Sequence, residues 1–229
     1  MIAATPALAA DPWPVRPVTV ICPFPPGIST DILTRAVATA LSNALGQQFV
    51  MENRPGANGN IGAATAAKSS PDGYTFLVAT LGPAIANKFM YKTMSFDAER
   101  AFAPVALLGS SPLIIVGSPK VPAANFRELV GYARQNDLSN VSTVDESGFP
   151  GFEASGWNAL LAPAGTPREI IDKVNAVVNA FLKSDDGKLQ LRKLGITPLG
   201  GTPDELQAHL DRERAKWGPI IKEANISLQ

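Results

Sequence analysis

The feature that most constrains the fold is a strand that runs into a helix through a Pro-Pro-Gly turn. Residues 18–22 (VTVIC) are apolar and rich in β-branched side chains, as expected of a strand covered on both faces. Apolar residues then recur at helical spacing over residues 32–45, and Gly46 follows as a C-cap candidate. This β-then-α unit predicts an α/β fold.

The same alternation continues along the chain. The segments QQFVMEN, IGAATAAKS and YTFLVAT predict a strand, a helix and a further strand. Strands that alternate with helices predict a parallel sheet with helices on both faces. The C-terminal third is mainly helical, and two Thr-Pro-x-Glu starts, at Thr166 and Thr202, each predict a capping box.

Composition excludes several function classes. Lys plus Arg and Asp plus Glu both number 20, so no net charge attracts nucleic acid or an anionic membrane. Cys22 and His209 are the sole residues of their types, which excludes a disulfide framework and a zinc site built from Cys and His. We expect Cys22 to be a buried thiol and His209 to be structural. Because no catalytic triad or Cys-His pair can be built, we predict a protein that is not an enzyme and has no cofactor or metal.

The junction between the first strand and helix is a candidate anion site. The strand is expected to end near Phe24, and the helix to begin around Ser29, Thr30 and Asp31. Unpaired N–H groups at a positive helix end can hold a carboxylate or a phosphate. Alternatively, Ser29 or Thr30 caps the helix and nothing binds. Asp31 is expected to complement the helix dipole rather than to contact a ligand.

Two further loops follow predicted strands. Gly56, Gly59 and Gly62 have G-x-x-G-x-x-G spacing, which matches neither the dinucleotide fingerprint nor the P-loop. Ligands of open parallel sheets bind outside the carboxyl ends of the strands. We therefore expect the loop around Gly27, residues 58–60 and residues 80–84 to converge. These three loops are called the three-loop site below.

The N-terminus indicates export. The segment MIAATPALAA is typical of the end of a secretory signal peptide, with Ala7-Leu8-Ala9 as the small-x-small cleavage pattern. We interpret residues 1–10 as the remnant of this leader, which predicts a periplasmic protein; a disordered Ala-rich terminus is the alternative. The longest apolar run, VALLGSSPLIIVG, is interrupted and too short to span a bilayer, so we expect no membrane-embedded segment.

Three motifs together carry a family resemblance: Pro-Phe-Pro-Pro-Gly, Glu-Asn-Arg-Pro-Gly-Ala and Pro-Asp-Gly-Tyr-Thr. With them, nearly the whole chain resembles the periplasmic solute receptors of tripartite tricarboxylate transporters, the Bug or TctC-like family. The resemblance implies a periplasmic-binding-protein-like fold of two α/β lobes around a cleft. It also implies capture of a small organic acid and its delivery to the permease subunits of a tripartite tricarboxylate transporter.

The resemblance also implies ligand-binding residues in the three-loop site. They are Phe24, Gly27, Ile28 and Ser29 in the first loop, Asn60 in the second, and Thr80, Leu81, Gly82 and Ala84 in the third. The family usually has Gly-Gly where this chain has Gly27-Ile28. Because a β-branched residue disfavours positive φ and adds bulk, we expect Ile28 to narrow or reshape the site.

A second departure concerns the second lobe. ARQN is joined directly to DLSNVST at Asn136-Asp137, where the family continues through two or more β-α units of roughly 30 residues each. We expect residues 11–105 and 160–229 to form the first lobe with the C-terminal helices. Residues 106–159 are expected to form a truncated second lobe and the hinge crossings. Two hypotheses remain: a receptor whose binding is impaired, or a non-binding remnant that acts, if at all, through protein contacts.

Overall fold

The computed structural model describes residues 13–113 and 154–228, together with 121–123, 125, 128–129 and 131–132. The chain divides into two compact units, one formed by Met1–Gly109 and Trp157–Gln229 and the other by Ser110–Gly156. The predicted leader and the join at Asn136-Asp137 lie outside the described residues. The assignment of a first lobe and a truncated second lobe stays a prediction.

The described part of the chain is built from strands and helices, which alternate in its N-terminal half. The strands are β1 (Val18–Cys22), β2 (Phe49–Asn53), β3 (Thr75–Ala79), β4 (Phe102–Pro112), β5 (Ser155–Pro163) and β6 (Thr197–Pro198). The helices are α1 (Ser29–Leu45), α2 (Asn60–Ala67), α3 (Asn87–Met90), α4 (Arg168–Lys183), α5 (Asp185–Lys193) and α6 (Pro203–Glu223). A 3₁₀ turn, Ala57–Gly59, precedes α2, and a π-helical turn, Gly82–Ala86, leads into α3.

The strands form one mixed sheet in the order β2-β1-β3-β5-β4-β6. β1 is parallel to both β2 and β3, whereas β5 is antiparallel to β3, with Leu77 opposite Leu161. The α/β fold is confirmed, but the sheet is not parallel throughout. The apolar run of a buried strand carries no information about its direction, so the sequence did not reveal the orientation of β5.

Helices cover both faces of the sheet, as predicted. On one face, Val20 and Phe76 pack in a cluster with Val37 of α1 and Val174 of α4. On the other, Ile21 and Leu77 pack with residues of α2 and α6 such as Ala63, Ala66, Leu206 and Leu210. Adjacent strand residues therefore point into different clusters, which is why β1 and β3 are apolar at nearly every position.

The helix ends follow local sequence signals in most cases. Gly46 ends α1 in the left-handed conformation, with φ 71°, and Thr202 and Glu205 form the predicted capping box of α6. The capping box predicted at Thr166 is wrong. The Thr166 hydroxyl donates to the Pro163 carbonyl at 2.8 Å, and Pro167, with ψ 134°, occupies the N-cap position of α4. The Thr166 side chain thus stabilises the turn after β5 and does not cap α4.

Candidate functional site

α1 begins without a side-chain cap. The N-cap residue is Ile28, and no side chain of the described residues accepts a capping hydrogen bond from the first turn. The alternative that Ser29 or Thr30 caps α1 is wrong, because both residues lie inside the helix. Thr30 instead donates from its hydroxyl to Oδ1 of Asn158 at 3.1 Å. The positive end of α1 therefore keeps N–H groups for which the helix itself provides no acceptor.

The turn before α1 is held from inside by a buried carboxylate. Oδ2 of Asp31 accepts from the N–H of Gly27 at 3.0 Å and from Nε of Arg35 at 3.1 Å. Oδ1 of Asp31 accepts from Nδ2 of Asn53 at 2.8 Å, and the same Nδ2 donates to the Phe24 carbonyl at 3.0 Å. The N–H of Gly27 is thus already engaged, which leaves the N–H groups at the start of α1 for a ligand.

Asp31 is ionised as part of this arrangement. Its side chain is 4% exposed. Burial raises its pKa, but the hydrogen bonds from Gly27, Asn53 and Arg35 outweigh that effect, so the pKa of Asp31 lies below its ordinary value. Both carboxylate oxygens of Asp31 accept hydrogen bonds from groups of the protein. This agrees with the expectation that Asp31 is not a ligand contact.

Ile28 adopts an ordinary backbone conformation. Its φ is −83° and its ψ is 166°, whereas the positive φ of this turn, 91°, falls on Gly27. The expected backbone conflict at Ile28 is therefore absent, because the neighbouring glycine supplies the left-handed conformation. The Ile28 side chain is 41% exposed, so its bulk stands at the surface beside the first turn of α1.

The three loops lie together at the carboxyl ends of β1, β2 and β3, as predicted. A Cβ atom placed on Gly59 would lie 3.4 Å from Pro23, 3.5 Å from the ring of Phe24 and 3.2 Å from Pro83. Gly59 has φ 89°, so glycine is required both by its conformation and by the close approach of its neighbours. This glycine lets the second loop pack between the first and the third.

A buried asparagine joins the second loop to the third. Asn87, at the start of α3, is 0% exposed. Its Nδ2 donates to the Asn58 carbonyl at 3.0 Å and to Oδ1 of Asn60 at 2.7 Å, while its Oδ1 accepts from Nδ2 of Asn58 at 2.9 Å. Sequence reasoning missed Asn87 and Asn53; for Asn87 the one available signal was a polar residue within the apolar segment PAIANKFM.

The structure places the remaining predicted residues as follows. Ser29 is exposed, whereas Phe24, Asn60, Thr80, Leu81 and Gly82 are partly buried and Ala84 is buried. The Ala84 N–H donates to the Thr80 carbonyl at 3.2 Å and so is already engaged. Which of these residues contact a ligand stays a prediction.

The groups of the three-loop site that can attract an anion are backbone and amide dipoles rather than unpaired charged side chains. Arg35 pairs with Asp31, and Arg54 pairs with Glu52 at 2.8 Å. Both arginines that flank the loops therefore have a carboxylate partner within the protein, although their side chains stay about half exposed. Backbone N–H groups and side-chain amides remain as the groups that can meet an anion.

The residues considered for other chemistry have structural environments. Cys22 is buried in β1, and burial raises the pKa of its thiol. The ring of His209 packs edge-on against Trp157, with centroids 5.2 Å apart. Within the described parts of the chain, no group of three or more His, Cys, Asp and Glu side chains is placed to hold a metal ion. Nor is any helix in those parts long and apolar enough to cross a bilayer.

A separate surface hollow of about 440 Å³ lies beside the end of α3. It is lined by Lys88, Tyr91 and residues 92 and 94–98. Nζ of Lys88 is held by Glu99 at 2.9 Å and by Asp97 at 3.5 Å. Lys88 is thus engaged by two carboxylates, and the hollow does not include any residue of the three-loop site.

This fold and site define a class of solute-binding receptors. The tripartite tricarboxylate transporter family receptor (TctC) model matches residues 33–138 and 134–226. The chain belongs to this family, whose members are periplasmic solute-binding receptors and not enzymes. The family predicted from the three motifs is confirmed, and so is the prediction that the protein is not an enzyme.

Individual relatives agree with this assignment. The chain is 26% identical to the protein BugT of Bordetella pertussis, over 97% of this chain and 93% of that protein. It is 25% identical to a UPF0065 protein of Pseudomonas sp. from the tcbD-tcbE intergenic region, over 98% of this chain and 91% of that protein. Among solved structures, R. palustris Rpa4515 with adipate is 30% identical with a TM-score of 0.82, covering 94% of this chain and 99% of that chain.

The alignments also agree with an internal deletion. The alignment with the Pseudomonas protein extends over 306 residues, although this chain has 229. The family model matches in two segments that meet at residues 134–138. The Pseudomonas relative therefore carries residues without a counterpart in this chain. That they would insert at Asn136-Asp137 stays a prediction.

Proposed function

We propose that this protein is an exported receptor that captures a small organic acid at the three-loop site and delivers it to the permease subunits of a tripartite tricarboxylate transporter. One carboxylate of the acid accepts hydrogen bonds from the N–H groups at the start of α1, with further contacts from Asn60 and from Thr80, Leu81 and Gly82. The observation that carries the proposal is the uncapped start of α1 where three strand-end loops meet.

The comparison with the R. palustris protein supports an acid as the ligand. That protein is in complex with adipate and is 30% identical to this chain. The shortened second lobe that the sequence predicts supports a weaker interaction here, because a bound charge that stays in contact with water is held less tightly. The same predicted shortening favours the second candidate function, a remnant that binds no acid.

A thermal-shift screen distinguishes the two functions. The chain is titrated with adipate, malate, citrate and benzoate, each up to concentrations far above the expected Kd. A ligand present at 100 times its Kd stabilises the folded state by about 2.7 kcal/mol, which raises the Tm of a chain of this size by about 5–10 °C. We expect such a rise for at least one acid.

Two glycine variants test the location of the site. Gly27 and Gly46 both have positive φ, and a Cβ atom on either meets no neighbouring atom within 4 Å. Gly27→Val and Gly46→Val therefore introduce similar backbone strain, but only the first alters the turn before α1. We expect Gly46→Val to keep the acid-dependent shift and Gly27→Val to lose it. If the wild-type protein unfolds in one cooperative thermal transition and no acid changes its Tm, the second candidate function, a remnant that binds no acid, is favoured.

A further inference from the structure

The orientation of the Asn87 amide is fixed by an unambiguous acceptor. The Asn58 carbonyl can only accept a hydrogen bond, so the Asn87 atom 3.0 Å from it must be the NH₂ group, Nδ2. The same Nδ2 lies 2.7 Å from the side chain of Asn60, which must therefore present its oxygen, Oδ1. The orientation of Asn60 thus follows from a backbone carbonyl through one intermediate side chain.

This arrangement leaves a donor on Asn60. Because Oδ1 faces Asn87, the NH₂ group of Asn60 points away from it. That NH₂ group has no acceptor among the described residues, and Asn60 is only partly buried. Asn60 is also the first residue of α2, at a carboxyl end of the parallel strands. A donor-only group is the kind that binds an ionised carboxylate and does not bind another donor.

Gly82 makes room for this network. A Cβ atom on Gly82 would lie 3.1 Å from Nδ2 of Asn58 and 3.4 Å from Oδ1 of Asn87. The backbone of the third loop therefore lies so close to Asn58 and Asn87 that a side chain at position 82 would crowd them. Among the three asparagines, Asn87 is the one that contacts both of the others.

We propose that Asn87 is a positioning residue, which orients the side-chain amide of Asn60 so that its NH₂ group donates to the carboxylate of the bound acid. The inference rests on the proposed function and adds to it a selectivity: the site discriminates an ionised carboxylate from the corresponding primary amide. Asn87 itself is fully buried and does not contact the ligand.

The test compares Asn60→Asp with Asn43→Asp, using adipate and adipamide as probes. In Asn60→Asp one oxygen still accepts from Asn87, but the second replaces the NH₂ group and repels a carboxylate. Asp at the first position of α2 also complements the helix dipole, so the variant should fold at least as stably as the wild type. Asn43 is exposed on α1, and its variant carries the same charge change outside the three-loop site.

We expect wild type and Asn43→Asp to bind adipate at least tenfold more tightly than adipamide in titration calorimetry. Asn60→Asp should weaken adipate binding at least tenfold with no decrease in Tm. Asn87→Asp replaces the donor to Asn60 with an acceptor. We expect it to reduce the ratio of the affinity for adipate to the affinity for adipamide.

The outcomes separate the two proposals. If the wild type does not bind adipate, the proposed function and this inference both fail for that acid. If the wild type binds adipate and Asn60→Asp binds it equally well, only the inference is overturned. An Asn87→Asp variant that folds and keeps the full preference for adipate over adipamide would also overturn it.

Discussion

At the scale of single residues, the chain places an isoleucine where helices usually carry a polar cap. Ser, Thr, Asp and Asn are preferred at the N-cap because their side chains accept from the first-turn N–H groups. Ile28 has no such acceptor, and its side chain is partly exposed. The start of α1 therefore retains donors that a capping side chain would have occupied.

Ile28→Asp is expected to stabilise the protein and to abolish acid binding. The new carboxylate caps α1, which contributes about 0.5–2 kcal/mol to the free energy of unfolding, and it occupies the N–H groups that the ligand needs. Urea unfolding measures the first effect and titration with an acid the second. Ile220→Asp, at a similarly exposed position on α6, controls for the charge change: it should leave acid binding unchanged and, because Asp in the last turn of a helix opposes the helix dipole, should not stabilise the protein. If Ile28→Asp still binds acid at wild-type strength, the start of α1 is not the site.

Asp31 predicts a pH dependence of stability. Because its pKa is lowered in the folded state, ionised Asp31 contributes stability that is fully present above the unfolded-state pKa of about 3.9 and is lost as the pH falls through the lowered folded-state pKa. We expect the free energy difference between wild type and Asp31→Asn, from urea unfolding, to be constant between about pH 5 and pH 7 and to shrink at lower pH. A difference that grows on acidification would contradict this sign.

At the scale of elements, the site depends on how closely the third loop approaches the second. The π-helical turn Gly82–Ala86 and the 3₁₀ turn Ala57–Gly59 follow different strands, and Asn87 bonds the two loops together. Each turn is only three to five residues long and has few backbone hydrogen bonds of its own. The hydrogen bonds at Asn87 are therefore expected to fix both loops at once.

Gly82→Ala is expected to weaken this connection. The added methyl group comes within 3.1 Å of Nδ2 of Asn58, so the asparagine pair must shift. Asn58 is exposed and its amide need move only a few tenths of an ångström, so we expect a loss below the ~1–3 kcal/mol that overpacking of a core costs. Urea unfolding measures the loss, and acid binding should weaken with it. Unchanged stability in Gly82→Ala would show that the loops adjust without cost.

At the scale of the whole molecule, the chain divides into two compact units, and the sequence predicts that the second is shortened. The alignment with the Pseudomonas relative extends over 306 residues against 229 in this chain, so that relative carries residues without a counterpart here. Charge–dipole interactions strengthen as water is excluded, so a carboxylate on an open site is held less tightly than one in a closed cleft.

We therefore expect adipate to bind this protein at least tenfold more weakly than it binds the R. palustris relative, a difference of about 1.4 kcal/mol or more. Titration calorimetry of both proteins at the same ionic strength measures the ratio. Equal affinities would show that the predicted shortening of the second lobe does not weaken binding.

Much of the fold could be predicted from the sequence because its signals are local. The start of β1, the start of α1, the C-cap at Gly46 and the capping box at Thr202 each depend on residues within a few positions of one another. The end of β1 was predicted less well, because the strand ends at Cys22 and not near Phe24. The convergence of three loops also followed, because the carboxyl ends of parallel strands must share one edge of a sheet.

Only the tertiary structure decided which groups at that edge remain available. Asp31 accepts from the N–H of Gly27 and from the amide of Asn53, and Asn87 donates to the side-chain oxygen of Asn60. Elsewhere in the fold, the Thr166 hydroxyl donates to the Pro163 carbonyl instead of capping α4. The sequence by itself determined where backbone donors could gather and to which family the chain belongs. Which donors stay free, and in which direction β5 runs, depends on contacts between distant residues, because a hydrogen bond or a strand pairing is chosen by the partner that packing brings within reach.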